Sequence, residues 1–298
     1  MLIKSENYDY ATLTKTLNAL CEEYPFLRSV SIGKSVVGRD IKAVKIGAGD
    51  KNVLIAAAFH GSEHITTNIC LYLLEDIACS LRNSSEIEGI NIKRILAKRG
   101  IIIVPRVNPD GCEISIRGAV ACGEKANTIS RLCRGNFSKW NSNFCGVDIN
   151  HNFNADWERL RERELMAGIY GPSPTRYGGR RPESEPETKA VCELCRNIFI
   201  SHALALHSQG EVIYHGFGDK NPRKSEKMAQ LLATASGYAL DVPMGLALGG
   251  GFKDWFICEF NRPAFTVEVG VGENPLPIET AESIYRNLRK MFVLSLAM

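Results

Sequence analysis

Four apolar runs most constrain what this chain can fold into: Val53–Phe59 (VLIAAAF), Ile101–Val104 (IIIV), Ile200–Leu206 (ISHALAL) and Ala264–Val269 (AFTVEV). They are apolar in continuous stretches rather than at alternate positions, which is the pattern of strands covered on both faces. Between them the spacing predicts helices over Thr66–Leu81, Ser184–Phe199, Pro222–Ser236 and Ile278–Leu294. The second begins SEPE, which puts Ser184 at an N-cap with Glu187 three residues on, the spacing of a capping box. Strands alternating with helices predict a three-layer α/β sandwich, a central mixed sheet with helices on both faces. No repeat, low-complexity stretch or linker divides the sequence, so residues 1–298 read as one domain.

Composition removes several classes of function. At 45% hydrophobic and 23% charged residues the chain is neither disordered nor a coiled coil. With 36 basic against 33 acidic residues and no basic block, it is not expected to bind nucleic acid or a membrane surface. No apolar run approaches the ~18–20 residues of a membrane span. The opening MLIKSENYDYATLTK has neither the apolar stretch nor the cleavage site of an export signal, which leads to the expectation of a cytoplasmic protein. The ten cysteines are scattered, and Cys70, Cys79 and Cys258 lie in apolar segments, so they read as reduced thiols. Cys192 and Cys195 form a CxxC with no second pair to complete a metal site, and their segment reads as helix.

In open α/β sheets, functional groups gather in the loops beyond strand ends. Here HGSEH follows the first run, NPDG the second, HSQGE the third, and EVGVGENP ends the fourth. His60 and Glu63 offer an imidazole and a carboxylate three residues apart, both suitable for zinc, although an isolated HxxE also suits a surface turn. His207 completes a His₂Glu set that leaves one coordination position open, or else it is a structural histidine at a strand end. Glu268 lies inside an apolar strand, where a carboxylate needs a partner. It is either a general base or one half of a buried salt bridge.

The ordered motifs HGSE (60–63), NPDG (108–111), GVDIN (146–150), SEPET (184–188), HSQG (207–210) and TVEVG (266–270) resemble the zinc carboxypeptidase family over nearly the whole chain. The segment Tyr24–Gly47 is similar to the first strands of that family. The resemblance implies one Zn²⁺ held by His60, Glu63 and His207, Glu268 as the base, and Asp148 orienting a ligand histidine. HxxEH also describes the inverted zincins, in which His60 and His64 would bind the metal from one helix. Gly61 and the preceding strand place His60 on a turn instead, and the downstream motifs would then go unused.

Two departures bear on substrate. Carboxypeptidases that remove one ordinary C-terminal residue carry an Asn-Arg pair for its carboxylate; this chain has Asn150 followed by His151. Imidazole lacks the permanent charge and the fork of guanidinium. The tyrosine that closes over substrate is also missing from GLALGGGFKDW. The segments GEVIYHGFG, RPESEPET and the run from GGGFKDW to GENPLP resemble γ-D-glutamyl-L-diamino acid endopeptidases. That resemblance implies a muropeptide substrate, cut between γ-D-Glu and meso-diaminopimelate or lysine. It also suggests a bare catalytic module working on recycled peptides inside the cell, without the wall-binding repeats some of those enzymes carry. For the oxyanion, Arg134 is the expected donor, ahead of Lys139, with Asn141 at the simplest aligned position. Alternative readings are an ordinary carboxypeptidase on L-peptides, a deacylase on small N-acyl amino acids, and a fold that binds peptides without cutting them.

Overall fold

In the computed structural model, which describes residues 2–298, the apolar runs become the middle of one eight-stranded sheet. Its strands are β1 (Arg28–Lys34), β2 (Asp40–Ile46), β3 (Asn52–Ala57), β4 (Gly100–Val104), β5 (Ile200–His207), β6 (Val212–His215), β7 (Ala239–Asp241) and β8 (Ala264–Glu268). Their order across the sheet is β1-β2-β4-β3-β5-β8-β6-β7. The four central strands β4, β3, β5 and β8 run parallel, while β2 and β6 join them antiparallel. The mixed sheet expected from the sequence is therefore present, with the parallel strands buried in its middle.

Side-chain alternation along the central strands feeds two separate cores. Val53, Ile55 and Ala57 of β3, with Leu204, Leu206, Phe265 and Val267, pack against the helices Tyr10–Glu23, Ile65–Asn83, Ser225–Ser236 and Ala281–Ala297. Leu54 and Ala56, with Ala203, Ala205 and Ala264, face the helices Pro186–Asn197 and Phe252–Phe260 on the other side. Small residues on that second face let Phe252, Trp255 and Phe256 approach the sheet closely. The three-layer sandwich follows from these two faces.

Four strands escaped the periodicity argument for a common reason. β1 has no buried residue, β2 alternates buried positions with the part-exposed Asp40, Lys42 and Lys45, β7 is exposed at all three positions, and β6 has only four residues at the sheet's margin. Strands wet on one side carry little continuous apolar signal. The capping box is corrected by the structure. The helix starts at Pro186 with Glu185 at its N-cap, where Pro costs no hydrogen bond. Ser184 accepts from Asn152 and donates to Glu185. Glu187 instead turns into the protein, accepting from the Val36 N–H (3.0 Å) and the Asn143 amide (3.1 Å), and burial pushes its carboxyl up to about 7. Cys192 and Cys195 are buried on this helix and burial raises both thiols, as helix packing rather than a metal site requires. No helix among the described residues is long and apolar enough to cross a membrane.

Leu204 sits in the middle of β5, wholly buried and paired with Ile55 and Phe265. Leu204→Ala is expected to cost about 2–5 kcal/mol. In urea titration that would appear as a lower midpoint with an unchanged slope.

Candidate metal centre and substrate cleft

After β3 the chain turns through Ala58, whose φ of 51° lies in the left-handed region. The turn is fastened by Thr66, which accepts from the Ala58 N–H (2.9 Å) and donates to the Glu63 carbonyl (2.7 Å). The short 3₁₀ turn Gly61–Glu63 follows. A Cβ on Gly61 would lie 2.3 Å from the Gly111 carbonyl oxygen and 2.4 Å from that of Trp140, so no larger residue fits without moving backbone. Asn108 of the NPDG motif clamps the same region. Its amide donates to the carbonyls of Phe59 and Asn141 (both 3.1 Å), while its oxygen accepts from the Gly111 N–H (2.8 Å).

His207 ends β5 and stands in register with Glu268, which ends β8. Its ring stacks on Phe59 with centroids 5.3 Å apart. The Glu63 carboxylate lies between the two histidines, with Oε1 2.8 Å from His60 Nδ1 and Oε2 3.0 Å from His207 Nδ1. The Ser208 N–H also reaches Oε2, at 3.2 Å. Burial works against charge on Glu63, but the two imidazoles outweigh it and hold the carboxyl at about 2. Burial likewise opposes a charged His60, yet Glu63 and Asp148 together raise it well above the ordinary histidine value. Asp148 Oδ1 is 3.0 Å from His60 Nε2, and its other oxygen accepts from the Arg176 N–H at 2.8 Å. Burial opposes charge on Asp148 as well; His60 and His151 more than compensate and depress its carboxyl far below the usual range.

One donor atom from each of His60, Glu63 and His207 falls within 4.8 Å of the others. Two imidazole nitrogens and a carboxylate form a donor set that suits zinc, and an aspartate behind one of the histidines is its usual support. His207 also keeps a buried Nε2 with no hydrogen-bond partner, so Nδ1 alone is engaged, and it points at Glu63. The residues fit the ion. His64 is not in this cluster; burial, then Arg106, lower its pKa to about 4. The inverted-zincin arrangement therefore has no support.

Two cavities open beside the trio. One, of about 140 Å³, is lined by His60, His207, Glu268, Asn150, His151 and the turn before the helix Phe252–Phe260. The other is bordered by His60, Glu63, Asn141, Asp148, Thr175 and Arg176. Enclosure by the cleft walls, and after it the Glu63 carboxylate, push Glu268 well above an ordinary carboxyl. Asn150 fixes its orientation by accepting from the Phe252 N–H at 2.9 Å. His151 Nδ1 sits 2.8 Å from Glu164, which is itself held by Arg161 and the Gly178 N–H.

Arg134 is not brought to the cleft. It follows the helix Ala126–Leu132 at a φ of 51°, exposed, and borders neither cavity. Lys139 is also exposed and pairs with Glu273 at 3.2 Å. Asn141 does reach the site, as does Arg176, which lies in a loop with no motif of its own to mark it. Lys253, Asp254, Tyr214 and Thr266 also line the first cavity and were not singled out. Asp148→Ala removes the support behind His60 and should lower zinc affinity by about 10–100-fold in a chelator competition.

A family model described as zinc carboxypeptidase matches residues 13–292. The chain is 37% identical to γ-D-glutamyl-L-diamino acid endopeptidase 1 of Lysinibacillus sphaericus over 294 residues, 98% of this chain and 72% of that protein. It is 26% identical to carboxypeptidase B of Rattus norvegicus, covering 87% of this chain and 62% of the rat protein. Among solved structures, thrombin activatable fibrinolysis inhibitor superposes with a TM-score of 0.76 at 19% identity, over 98% of this chain and 74% of that one. Murein-tripeptide amidase MpaA from Escherichia coli O157 superposes with a TM-score of 0.55 at 22% identity, over 90% and 91%. With these likenesses spanning its whole sheet and its His-Glu-His cluster, the chain belongs to the zinc carboxypeptidase family and is a zinc metallopeptidase.

Proposed function

We propose that this metallopeptidase hydrolyses the bond between γ-D-glutamate and a diamino acid in peptidoglycan stem peptides. The observation that carries this reading is the 37% identity, over 98% of the chain, to an endopeptidase of that name. His151 adds support, since imidazole held by Glu164 stands where a general carboxypeptidase needs a guanidinium for the terminal carboxylate.

His60, Glu63 and His207 would hold the zinc, which when bound supplies Lewis acidity to the scissile carbonyl and to the attacking water. Glu268 accepts the water's proton and passes it to the leaving amine, a role that an upward-shifted carboxyl suits. Asp148 holds the His60 ring in place through Nε2. Asn150, with its oxygen fixed by the Phe252 N–H, turns its amide donors towards the substrate beyond the scissile bond. His151 lines the same cavity and contributes a second polar contact there. We place the enzyme in the cytoplasm: all ten cysteines are free thiols, as a reducing compartment maintains them.

The reading is tested by giving the zinc-loaded protein L-Ala-γ-D-Glu-meso-diaminopimelate and an all-L peptide with a free C-terminus, and following products by mass spectrometry. Release of diaminopimelate from the first alone is expected; trimming of the second alone would replace this reading with an ordinary carboxypeptidase. Glu268→Gln should keep its zinc and lose about 10²–10⁴-fold in kcat. A fully active variant would remove Glu268 as the base.

A further inference from the structure

The motifs NPDG and SEPET take no part in the hydrolytic step, yet each buries a carboxylate behind it. Asp110 and Glu187 are both wholly buried and hold the same turn after β1. Asp110 accepts from the Ser35 hydroxyl (2.8 Å) and the Val37 N–H (3.1 Å), while Glu187 Oε1 accepts from the Val36 N–H between them (3.0 Å). The other oxygen of Glu187 leads towards the metal, because it accepts from Asn143, which is also wholly buried. The Asn143 side-chain oxygen accepts from the Cys145 and Val147 N–H groups (2.9 and 3.1 Å). Its amide hydrogens are therefore left for Glu185 (2.7 Å) and Glu187 (3.1 Å). The Asn143 N–H donates to the Val147 carbonyl at 2.8 Å and closes the turn 143–147. The next residue is Asp148, whose carboxylate stands 3.0 Å from His60 Nε2.

We propose that Glu187 is a positioning residue for the metal site: by accepting with both oxygens it fixes Asn143, and through it the turn that sets Asp148 behind His60. The polarity of these contacts demands an ionised carboxylate. Val36 and Asn143 both donate, so a proton on either oxygen of Glu187 sets a donor against a donor. Burial opposes that ionised form and, with the Asp110 charge adding to it, pushes the carboxyl up to about 7. None of the cations nearby pairs with Glu187. Arg39 is spent on Asp110 at 2.7 Å, and Lys125 lies 3.8 Å from the sulfur of the half-buried Cys145. Lys34, on the strand against this helix, is turned to solvent and pairs with Asp40, and His151 pairs with Glu164. Glu185 adds a second acid that shares the Asn143 amide. The brace is therefore complete above a pH of about 7 and weakens as the pH falls through that value. Folding stability responds in the opposite sense. A carboxyl raised in the folded state holds its proton more tightly there than in the unfolded chain, so its ionisation costs stability as pH rises from the ordinary glutamate range to about 7. Zinc support gains from the same ionisation.

The test measures the zinc dissociation constant by chelator competition from about pH 5.5 to about pH 8.5, a range that brackets the Glu187 transition. Wild type is compared with Glu187→Gln, which keeps the size of the side chain and cannot ionise, and urea midpoints are taken on the same samples. Protonation of the ligand histidines is common to both proteins and cancels in the ratio of their constants. That ratio should be near one at the acid end and rise through neutral pH to about tenfold weaker binding by the variant, the lower end of the range for groups that support a metal ligand. Over the same interval wild type should lose urea stability relative to the variant. A ratio that stays at one throughout would overturn the proposal. So would a ratio that follows the difference in urea stability, since Glu187 would then act on the fold alone. Hydrogen exchange of the zinc-loaded wild type gives a reading that needs no variant to fold. The Cys145 and Val147 amides, corrected for intrinsic rates, should lose protection as the pH falls below neutral, while the amides of β5 keep theirs. Equal protection of Cys145 and Val147 on both sides of neutral pH would overturn the brace.

Discussion

The Glu63 carboxylate, enclosed between the imidazoles of His60 and His207, is the contact on which the arrangement of this protein depends. A carboxylate with so little access to water is tolerated only where opposite charge or hydrogen bonds replace hydration. Meeting that need brings together two remote parts of the chain: the turn after β3 and the end of β5. The parallel pairing of β3 and β5, in unbroken register from Val53 and His202 to Ala57 and Leu206, fixes that meeting at backbone level. Asp148 extends the alternation of charges by one more group, and its remaining oxygen organises the loop that presents Arg176.

Much of this was legible before any coordinates. Continuous apolar runs identified all four central strands, because residues buried on both faces leave no room for polar alternation. The chemistry at their ends was legible for the same reason: a histidine or glutamate at the exit of an otherwise apolar strand stands out. The margins were harder to read. β6 and β7 lie partly in solvent, where polar residues are unremarkable, and their pairings, β6 with β8 and β7 with β6, are long-range information. Ser184 shows the limit of local motifs. A capping box requires Glu187 to reach back along its own helix, but the Val36 N–H and Asn143 offered it buried partners from elsewhere in the fold.

The oxyanion donor illustrates the same limit in the site itself. Arg134 lies close in sequence to GVDIN, yet it follows the helix Ala126–Leu132 with its side chain in water. Arg176 reaches the cleft from a later loop, tied to the Asn141 segment because the Asn141 and Ser142 N–H groups both donate to the Pro174 carbonyl. Nothing short of the folded loops reveals that proximity. Lys253 and Asp254 carry no motif of their own within GGGFKDW, and only the folded helix Phe252–Phe260 shows that they line the cavity.

The cleft draws its walls from separate structural sources. His207 and Glu268 end strands whose positions are fixed by the sheet, and His60 and Glu63 lie on the turn directly after another, whereas Lys253 and Asp254 belong to the first turn of a helix that follows the run Gly249–Gly251. The division separates what is costly to vary from what is cheap to vary. A change in the residues ending β3, β5 or β8 disturbs backbone ladders shared by neighbouring strands, but a change in the helix's first turn alters the cavity's charge without touching any of them. Such a scaffold can change the charge of its cleft wall while the backbone that carries its hydrolytic apparatus stays fixed.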